Sequence, residues 1–137
     1  LLVDFFRSLS KDKPPSGQEV RRRIAAIVRE LATEGRAIIV GQGGTAATLD
    51  LPNRMSVRLE APLDWRVKEV AFREGLSEIK ARMRIQAKDR EREYLRELYS
   101  SRTQNNPSFN LIYDCSTFTL AHIAQHIVYG MRLRGLI

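Results

Sequence analysis

The chain has 137 residues, of which 43% are hydrophobic and 28% are charged, proportions that exclude a disordered chain and allow one hydrophobic core. Lys and Arg outnumber Asp and Glu by 23 to 16, and the net charge of +7 favours anionic partners such as nucleotides, nucleic acids or acidic surfaces. The single cysteine, Cys115, excludes an internal disulfide, and without an apolar run of about 20 residues we expect a cytoplasmic protein with no membrane partner.

The first part of the chain predicts a loop, a helix and a strand. Polar residues and consecutive prolines at 10–17 indicate a loop. Ser16 and Glu19 have the spacing of a capping box, and the apolar residues after them recur at helical spacing until a glycine, which predicts a helix over 17–34. The β-branched apolar run at 37–40 is bounded by glycines and predicts a strand buried on both faces.

The rest of the chain predicts two more strands and three more helices. Residues 55–60 and 111–113 are the strand candidates. A helix is predicted from Pro62 to about residue 74, where a glycine ends it, and a second from Ser77 to about residue 99. Thr119 can cap a last helix, with four apolar residues on one side: Leu120, Ile123, Ile127 and Met131.

This order of elements predicts an α/β protein with a short parallel sheet flanked by helices. We expect a single domain over 1–137 that is incomplete at its N-terminus, because the sequence opens on apolar residues with no polar lead-in. The apolar ends at 1–6 and 133–137 need burial. Either missing residues or the partner subunit of a homo-oligomer would provide it.

Five strings occur in an order and at a spacing that point to a known family. Ala-Ile-Ile-Val-Gly-Gln-Gly lies at 37–43, Ala-Pro-Leu-Asp-Trp-Arg-Val at 61–67 and Phe-Arg-Glu-Gly-Leu-Ser at 72–77. Lys-Asp-Arg-Glu-Arg lies at 88–92, and Asp-Cys-Ser-Thr-Phe-Thr-Leu at 114–120. From about residue 20 to residue 127, the chain thereby resembles the cytidylate kinases and, more closely, the broader cytidylate-kinase-like group.

The resemblance implies a three-layer P-loop kinase-like fold with a lid region at about 77–104. It also implies ATP-dependent phosphoryl transfer to a nucleoside monophosphate (CMP-like) or a similar small acceptor, with ATP and Mg2+ as cofactors. The family places a Gly-x-x-x-x-Gly-Lys-Ser/Thr loop ahead of these strings, and the 137 residues do not contain that pattern. Because that loop cradles the ATP phosphates, we expect the isolated chain to be inactive.

The arginines of the predicted lid are the catalytic candidates that the resemblance implies. Phosphoryl transfer depends mainly on alignment and charge neutralisation, and a guanidinium stays charged while it binds phosphate oxygens in a bidentate fork. Arg92 is the first candidate and Arg90 the second. Asp89 would orient the lid, and Arg84 would support it.

The same segment also fits a simpler interpretation. If the family resemblance is set aside, the basic residues of the predicted lid recur every four positions beside a stripe of acidic residues. This pattern is typical of a solvated helix with i,i+3 ion pairs. They are Arg84, Lys88, Arg92 and Arg96.

The turn Gly41, Gln42, Gly43 follows the predicted strand, where ligands bind in open parallel sheets. We therefore assign the turn to substrate binding, and we assign Arg66 to the same role. The alternative for the turn is that its glycines serve only a tight backbone turn, and the alternative for Arg66 is a surface ion pair. True cytidylate kinases have Gly-Arg-Asp here, with the arginine on the substrate phosphate and the aspartate on cytosine. Gln42 and Gly43 depart from that pattern, which argues against strict CMP specificity.

The resemblance implies that the nucleotide-binding loop, which passes the ATP base mostly through backbone atoms, consists of Asp114, Cys115, Ser116 and Thr117. No cationic activator is evident near Cys115, which indicates a half-buried thiol and not a nucleophile. His122 and His126 are four residues apart, as in a zinc-binding His-Glu-x-x-His, but Ile123 replaces the glutamate. We predict no metal site.

A second function remains open on the sequence alone. The +7 charge and the arginine-rich helix would also suit a non-catalytic basic module that binds nucleic acid or an acidic partner. Against it, Tyr94 and Tyr99 do not interleave with the basic stripe as a stacking platform would.

Overall fold

A computed structural model of the chain describes residues 16–41, 43–100 and 109–137, with side chains through residue 94 in the second range. These residues form five helices and a two-stranded parallel sheet. The mixed α/β class and the short parallel sheet are therefore confirmed. The chain divides into two compact units, Leu1–Arg54 (unit 1) and Met55–Ile137 (unit 2).

Helix α1, Gly17–Glu34, has the ends that the sequence predicts. The Ser16 hydroxyl accepts a hydrogen bond from the Glu19 N–H at 3.2 Å, as expected of an N-cap. Gly35 follows the helix at φ 77° and ψ −175°, a positive-φ conformation that glycine adopts without steric cost.

The predicted strand at 37–40 is wrong. These residues form no strand, and Ile38 and Val40 are 95% and 85% exposed. A β-branched sequence becomes a strand only against a pairing partner. The described part of unit 1 contains no other strand to pair with it.

A short helix, α2 (Gly44–Ala47), is tied to α1 through Arg29. The Arg29 Nη1 donates to Asp50 Oδ1 at 2.6 Å and to the Ala47 carbonyl at 3.2 Å, and Nη2 donates to Asp50 Oδ2 at 2.5 Å. These hydrogen bonds from Arg29 lower the pKa of Asp50 to about 2, because they stabilise the charged carboxylate.

In unit 2, strand β1 (Val57–Glu60) pairs in parallel with strand β2 (Leu111–Asp114), in the register Val57↔Leu111. At their amino ends, the Ser56 N–H and hydroxyl both donate to the Asn110 side-chain carbonyl, at 2.8 and 3.0 Å. A parallel pair needs a long crossover, and two helices lie within it.

The crossover is a pair of helices, α3 (Leu63–Glu74) and α4 (Glu78–Ser100). Pro62 is the N-cap of α3, and Gly75 ends it in the left-handed conformation at φ 63°. The two helices enclose a small core of Val67, Ala81 and Ile85.

Helix α5, Leu120–Leu133, begins at the predicted cap, because the Thr119 hydroxyl accepts a hydrogen bond from the His122 N–H at 3.2 Å. On the predicted apolar side Ile123 is buried, whereas Leu120, in the first turn of the helix, is 71% exposed. A Cβ added to Gly130 would lie 3.3 Å from Met55 Cε and 3.7 Å from Leu111 Cδ1. This close approach places α5 against the sheet. Within the described ranges, no helix is both long enough and apolar enough to cross a membrane.

Candidate functional site

Three of the predicted site residues lie together in unit 2: Arg66, Asp89 and Arg92. The Arg66 Nη1 donates to Asp89 Oδ2 at 2.8 Å and to Oδ1 at 3.1 Å. The Arg92 Nη1 lies 3.7 Å from the Asp89 Oδ1, a distance at which the charges attract without a hydrogen bond. The Asp89 carboxylate thus has one firmly bound guanidinium and one loosely held one.

Exposure separates the two arginines around Asp89. The side chains of Arg66 and Asp89 are 31% and 40% exposed, whereas that of Arg92 is 71% exposed. Arg66 also donates from Nε to the Ala61 carbonyl at 3.1 Å, and Ala61 directly follows β1. Arg66 therefore forms the ion pair that was the alternative to substrate binding, and Arg92 presents its charge to solvent.

Arg84 and Arg90 lie elsewhere on α4. The Arg84 Nη1 is 2.9 Å from Glu74 Oε2, so it joins α4 to the last residue of α3. Arg84 and Asp89 are five positions apart, about 140° around the helix, and so they do not share a face. Arg90 is exposed.

The pattern of a solvated helix is also present on α4. Lys88 pairs with Glu91 at 2.7 Å, and Arg92 pairs with Asp89, both at i,i+3 spacing. Of these contacts, the one between Arg92 and Asp89 joins the basic and acidic stripes as the simpler interpretation predicts. The Arg96 side chain lies outside the described residues.

The predicted nucleotide-binding loop is a tight turn at the carboxyl end of β2. The Ser116 N–H and hydroxyl both donate to Asp114 Oδ1, at 2.8 and 2.6 Å. These bonds, with that from the Ser116 hydroxyl foremost, lower the pKa of Asp114. The Thr117 hydroxyl donates to the Asp114 carbonyl at 3.0 Å. Cys115 is half-buried as predicted.

Three rings contact one another next to this turn: Tyr113, Phe118 and His126. Their centroids are separated by 6.2, 6.0 and 5.9 Å, distances typical of aromatic contacts. No sequence pattern indicated this cluster, because its members come from a strand, a turn and a helix. His126 takes part in ring packing, and the described residues contain no group of three or more His, Cys, Asp or Glu that could hold a metal ion.

The glycine turn belongs to unit 1. Gly41 and Gly43 have φ values of 70° and 66°, and the Gly44 N–H donates to the Gly41 carbonyl at 2.9 Å. This geometry favours glycine at both positions, in agreement with the tight-turn interpretation. Gln42 lies outside the described residues.

The family model of the cytidylate kinase-like family matches residues 2–117. The chain belongs to the cytidylate kinase-like family. The matched residues contain both strands, helices α1 to α4 and the turn after β2, and the match ends before α5 begins. Neither a curated protein nor a solved structure shows significant similarity to the chain.

Membership in the cytidylate kinase-like family supports kinase-type chemistry and nucleotide binding at the level of the family. The strings at 61–67 and 88–92, which carried the resemblance, contact each other through Arg66 and Asp89. Helix α4 is therefore joined at Asp89 to the passage that follows β1. Ligands in parallel sheets bind at this carboxyl end of the strands.

Proposed function

We propose that this chain supplies the phosphate-acceptor and lid part of a P-loop nucleotide kinase, which transfers the γ-phosphoryl group of ATP to a nucleoside monophosphate of the CMP type. The observation that carries the proposal is the exposed Arg92 guanidinium, held only loosely by Asp89 at 3.7 Å, on a helix that lies within the family match. A guanidinium in this position can turn toward a phosphate while giving up only the weak attraction to Asp89.

In this proposal, Arg92 and Arg90 neutralise the charge that is spread over the transferring phosphoryl group. Asp89 attracts Arg92 in the absence of substrate without binding it firmly. A phosphate that approaches Arg92 replaces the weak contact to Asp89 with a bidentate, charge-assisted one. Residues 41–43 would hold the acceptor phosphate, and the turn 114–117 would pass the base of ATP.

ATP and Mg2+ enter the proposal as the MgATP substrate. The described residues contain no acidic cluster suited to Mg2+, so its ligands would be phosphate oxygens and water, as is usual for this ion. The sequence contains no Gly-x-x-x-x-Gly-Lys-Ser/Thr pattern, and we assign no residue of this chain to the β- and γ-phosphates of ATP. A cytoplasmic location, where MgATP is abundant, completes the proposal.

Calorimetric titration of the chain with CMP, UMP, AMP and GMP tests the proposal. We expect measurable binding of at least one nucleotide, and we expect Arg92→Gln to weaken it about threefold to tenfold, since an exposed charge-assisted hydrogen bond contributes about 1 kcal/mol. Arg82→Gln is the matched control. It removes the same charge from the same helix, but Arg82 pairs with Asp64 at 2.6 Å, and we expect no change in affinity.

Two results would contradict the proposal. One is an equal loss of affinity in both variants, which would indicate general electrostatic attraction and not a site. The other is binding of single-stranded RNA with a steep salt dependence and no binding of mononucleotides, which would favour the basic binding module.

A further inference from the structure

We infer that Arg29 is a positioning residue: from helix α1 it holds the carboxyl end of the short helix α2, and through α2 it holds the glycine turn at 41–43. The role of that turn in binding the acceptor phosphate rests on the proposed function, which this inference deepens. The hold itself rests on hydrogen bonds within unit 1.

Helix α2 is too short to be stable by itself. It consists of four residues, Gly44–Ala47, which make about one helical turn, and the first turn of a helix is the unfavourable step in helix formation. Its first residue is a glycine, which lowers helix stability further. Contacts with the rest of unit 1 therefore stabilise α2.

Arg29 binds the carboxyl end of α2 from the side of α1. Its Nη1 donates to the carbonyl of Ala47, the last residue of α2, at 3.2 Å, and its two Nη atoms donate to the two carboxylate oxygens of Asp50 at 2.6 and 2.5 Å. A positive charge is favourable at the C-terminal end of a helix, where the last carbonyl groups have no partner within the helix. A planar guanidinium bound to three acceptors has little rotational freedom. Asp50 thereby directs Arg29 toward the end of α2.

Hydrogen bonds connect α2 to the glycine turn. Thr48, which is 6% exposed, donates from its N–H and its hydroxyl to the Gly44 carbonyl, at 3.1 and 2.8 Å. The Ala47 N–H donates to the Gly43 carbonyl at 3.0 Å, and the Gly44 N–H donates to the Gly41 carbonyl at 2.9 Å. A shift of the carboxyl end of α2 would therefore be passed on to the backbone of the turn.

Helix α2 also packs against the residues that precede the turn. A Cβ added to Gly44 would lie 3.2 Å from Ile39 Cγ2, so the backbone of α2 lies directly against this side chain. The turn is thus fixed by α2 on the side that follows it and packed on the side that precedes it. A phosphate site made of backbone groups requires such a defined geometry.

Amide hydrogen exchange of the intact chain tests the hold without any nucleotide. We expect Arg29→Gln and Asp50→Asn each to accelerate exchange at 44–48 about threefold to tenfold more than exchange at 24–28 in α1, as expected when an exposed charge-assisted contact is lost locally. Arg22→Gln is the matched control. It removes the same charge from an exposed position two turns earlier on the same face of α1, and it should leave the ratio of the two exchange rates unchanged.

A conservative variant separates the ion pair from the mere shape of the side chain. Asp50→Glu keeps the carboxylate at a largely exposed position, and we expect its ratio of exchange rates to stay within about twofold of the wild type. Equal acceleration of the two segments, or none, in the Arg29→Gln and Asp50→Asn variants would overturn the inference. Asp50→Glu behaving like Asp50→Asn would overturn it as well.

Calorimetric titration with CMP tests whether the hold serves the acceptor phosphate. We expect Asp50→Asn to weaken CMP binding about threefold, because the turn loses its fixed geometry, and we expect Asp50→Glu to restore it. Asp50→Asn makes the chain more positive, so general attraction of an anion would instead strengthen the binding. Unchanged or stronger CMP binding by Asp50→Asn would overturn the role of the hold in binding.

The failure of the inference can be distinguished from the failure of the proposed function. If no mononucleotide binds to the wild type, the proposed function is overturned, and the role of the turn in binding is overturned with it. The hold of Arg29 on α2 and the turn is decided by the nucleotide-free exchange measurement.

Discussion

Arg66 and Asp89 are 23 residues apart in the chain, yet the Arg66 guanidinium donates to both oxygens of the Asp89 carboxylate, at 2.8 and 3.1 Å. The same side chain donates to the carbonyl of Ala61, so one residue joins the end of β1, helix α3 and helix α4. The strings at 61–67 and 88–92, which are separate in the sequence, are thereby in direct contact. The ion pair between Arg66 and Asp89 therefore helps to position helix α4 relative to helix α3 and the end of β1.

The core between α3 and α4 depends on Val67. Its side chain is 1% exposed and packs with Ala81 and Ile85. We expect Val67→Ala to lower the free energy of unfolding by about 2 kcal/mol, because the lost methyl groups leave a cavity. Urea denaturation would measure the loss. Phe72→Ala on the same helix is the control: Phe72 is 91% exposed, and its replacement should change stability by less than about 0.5 kcal/mol.

The start of helix α5 depends on the Thr119 hydroxyl, which accepts the N–H of His122 at 3.2 Å. We expect Thr119→Ala to lower the free energy of unfolding by about 1 kcal/mol, as is typical when an N-cap acceptor is lost. Thr119→Ser keeps the acceptor and should retain nearly all of the stability. Equal stability of the alanine variant and the wild type in chemical denaturation would show that the cap contributes nothing.

Helix ends could be predicted because their causes are local. Ser16, Gly75 and Thr119 each act within four residues of the boundary that they set, through capping or through a left-handed conformation. The residues at 37–40 show the opposite case. Their composition favours a strand, but a strand is stable only when it pairs with another strand. The residues next to 37–40 in the sequence do not provide such a partner.

In the candidate site, too, contacts between residues far apart in the sequence could not be predicted. Asp89 and Arg92 were predicted as site residues from the family resemblance and Arg66 as part of a phosphate site, and the structure brings the three together. The pairing of Arg66 with Asp89 could not be predicted, because it depends on how α3 packs on α4. The pair of Arg29 with Asp50 escaped prediction for the same reason, and the rings next to the 114–117 turn come from three different elements.

The pair of Arg29 with Asp50 makes the stability of unit 1 depend on pH. Hydrogen bonding by Arg29 lowers the pKa of Asp50 to about 2 from an ordinary value of 3.8. A carboxyl group with a lowered folded-state pKa stabilises the fold above its ordinary pKa, and this contribution is lost as the pH falls through the folded-state value. We therefore expect the difference in Tm between the wild type and Asp50→Asn to be constant above about pH 4 and to shrink between pH 4 and pH 2.

Thermal unfolding followed by circular dichroism from pH 2 to pH 6 measures that difference. About 1 M NaCl should reduce it at pH 6, since both side chains are largely exposed and salt screens their attraction. A difference in Tm that remains undiminished at pH 2 would show that Asp50→Asn acts through something other than the ionised carboxylate.

The family resemblance places Gln42 where cytidylate kinases carry the arginine of Gly-Arg-Asp, which holds the substrate phosphate in those enzymes. If the turn 41–43 holds the acceptor phosphate, Gln42→Arg adds a guanidinium where a phosphate binds. We expect the affinity for CMP to rise about threefold to tenfold, as expected of one exposed charge-assisted hydrogen bond. Binding of cytidine, which lacks the phosphate, should not change. Gln18→Arg in the first turn of α1 makes the same substitution elsewhere in unit 1. If both variants raise CMP affinity equally, the gain comes from the added net charge, and the turn does not hold the phosphate.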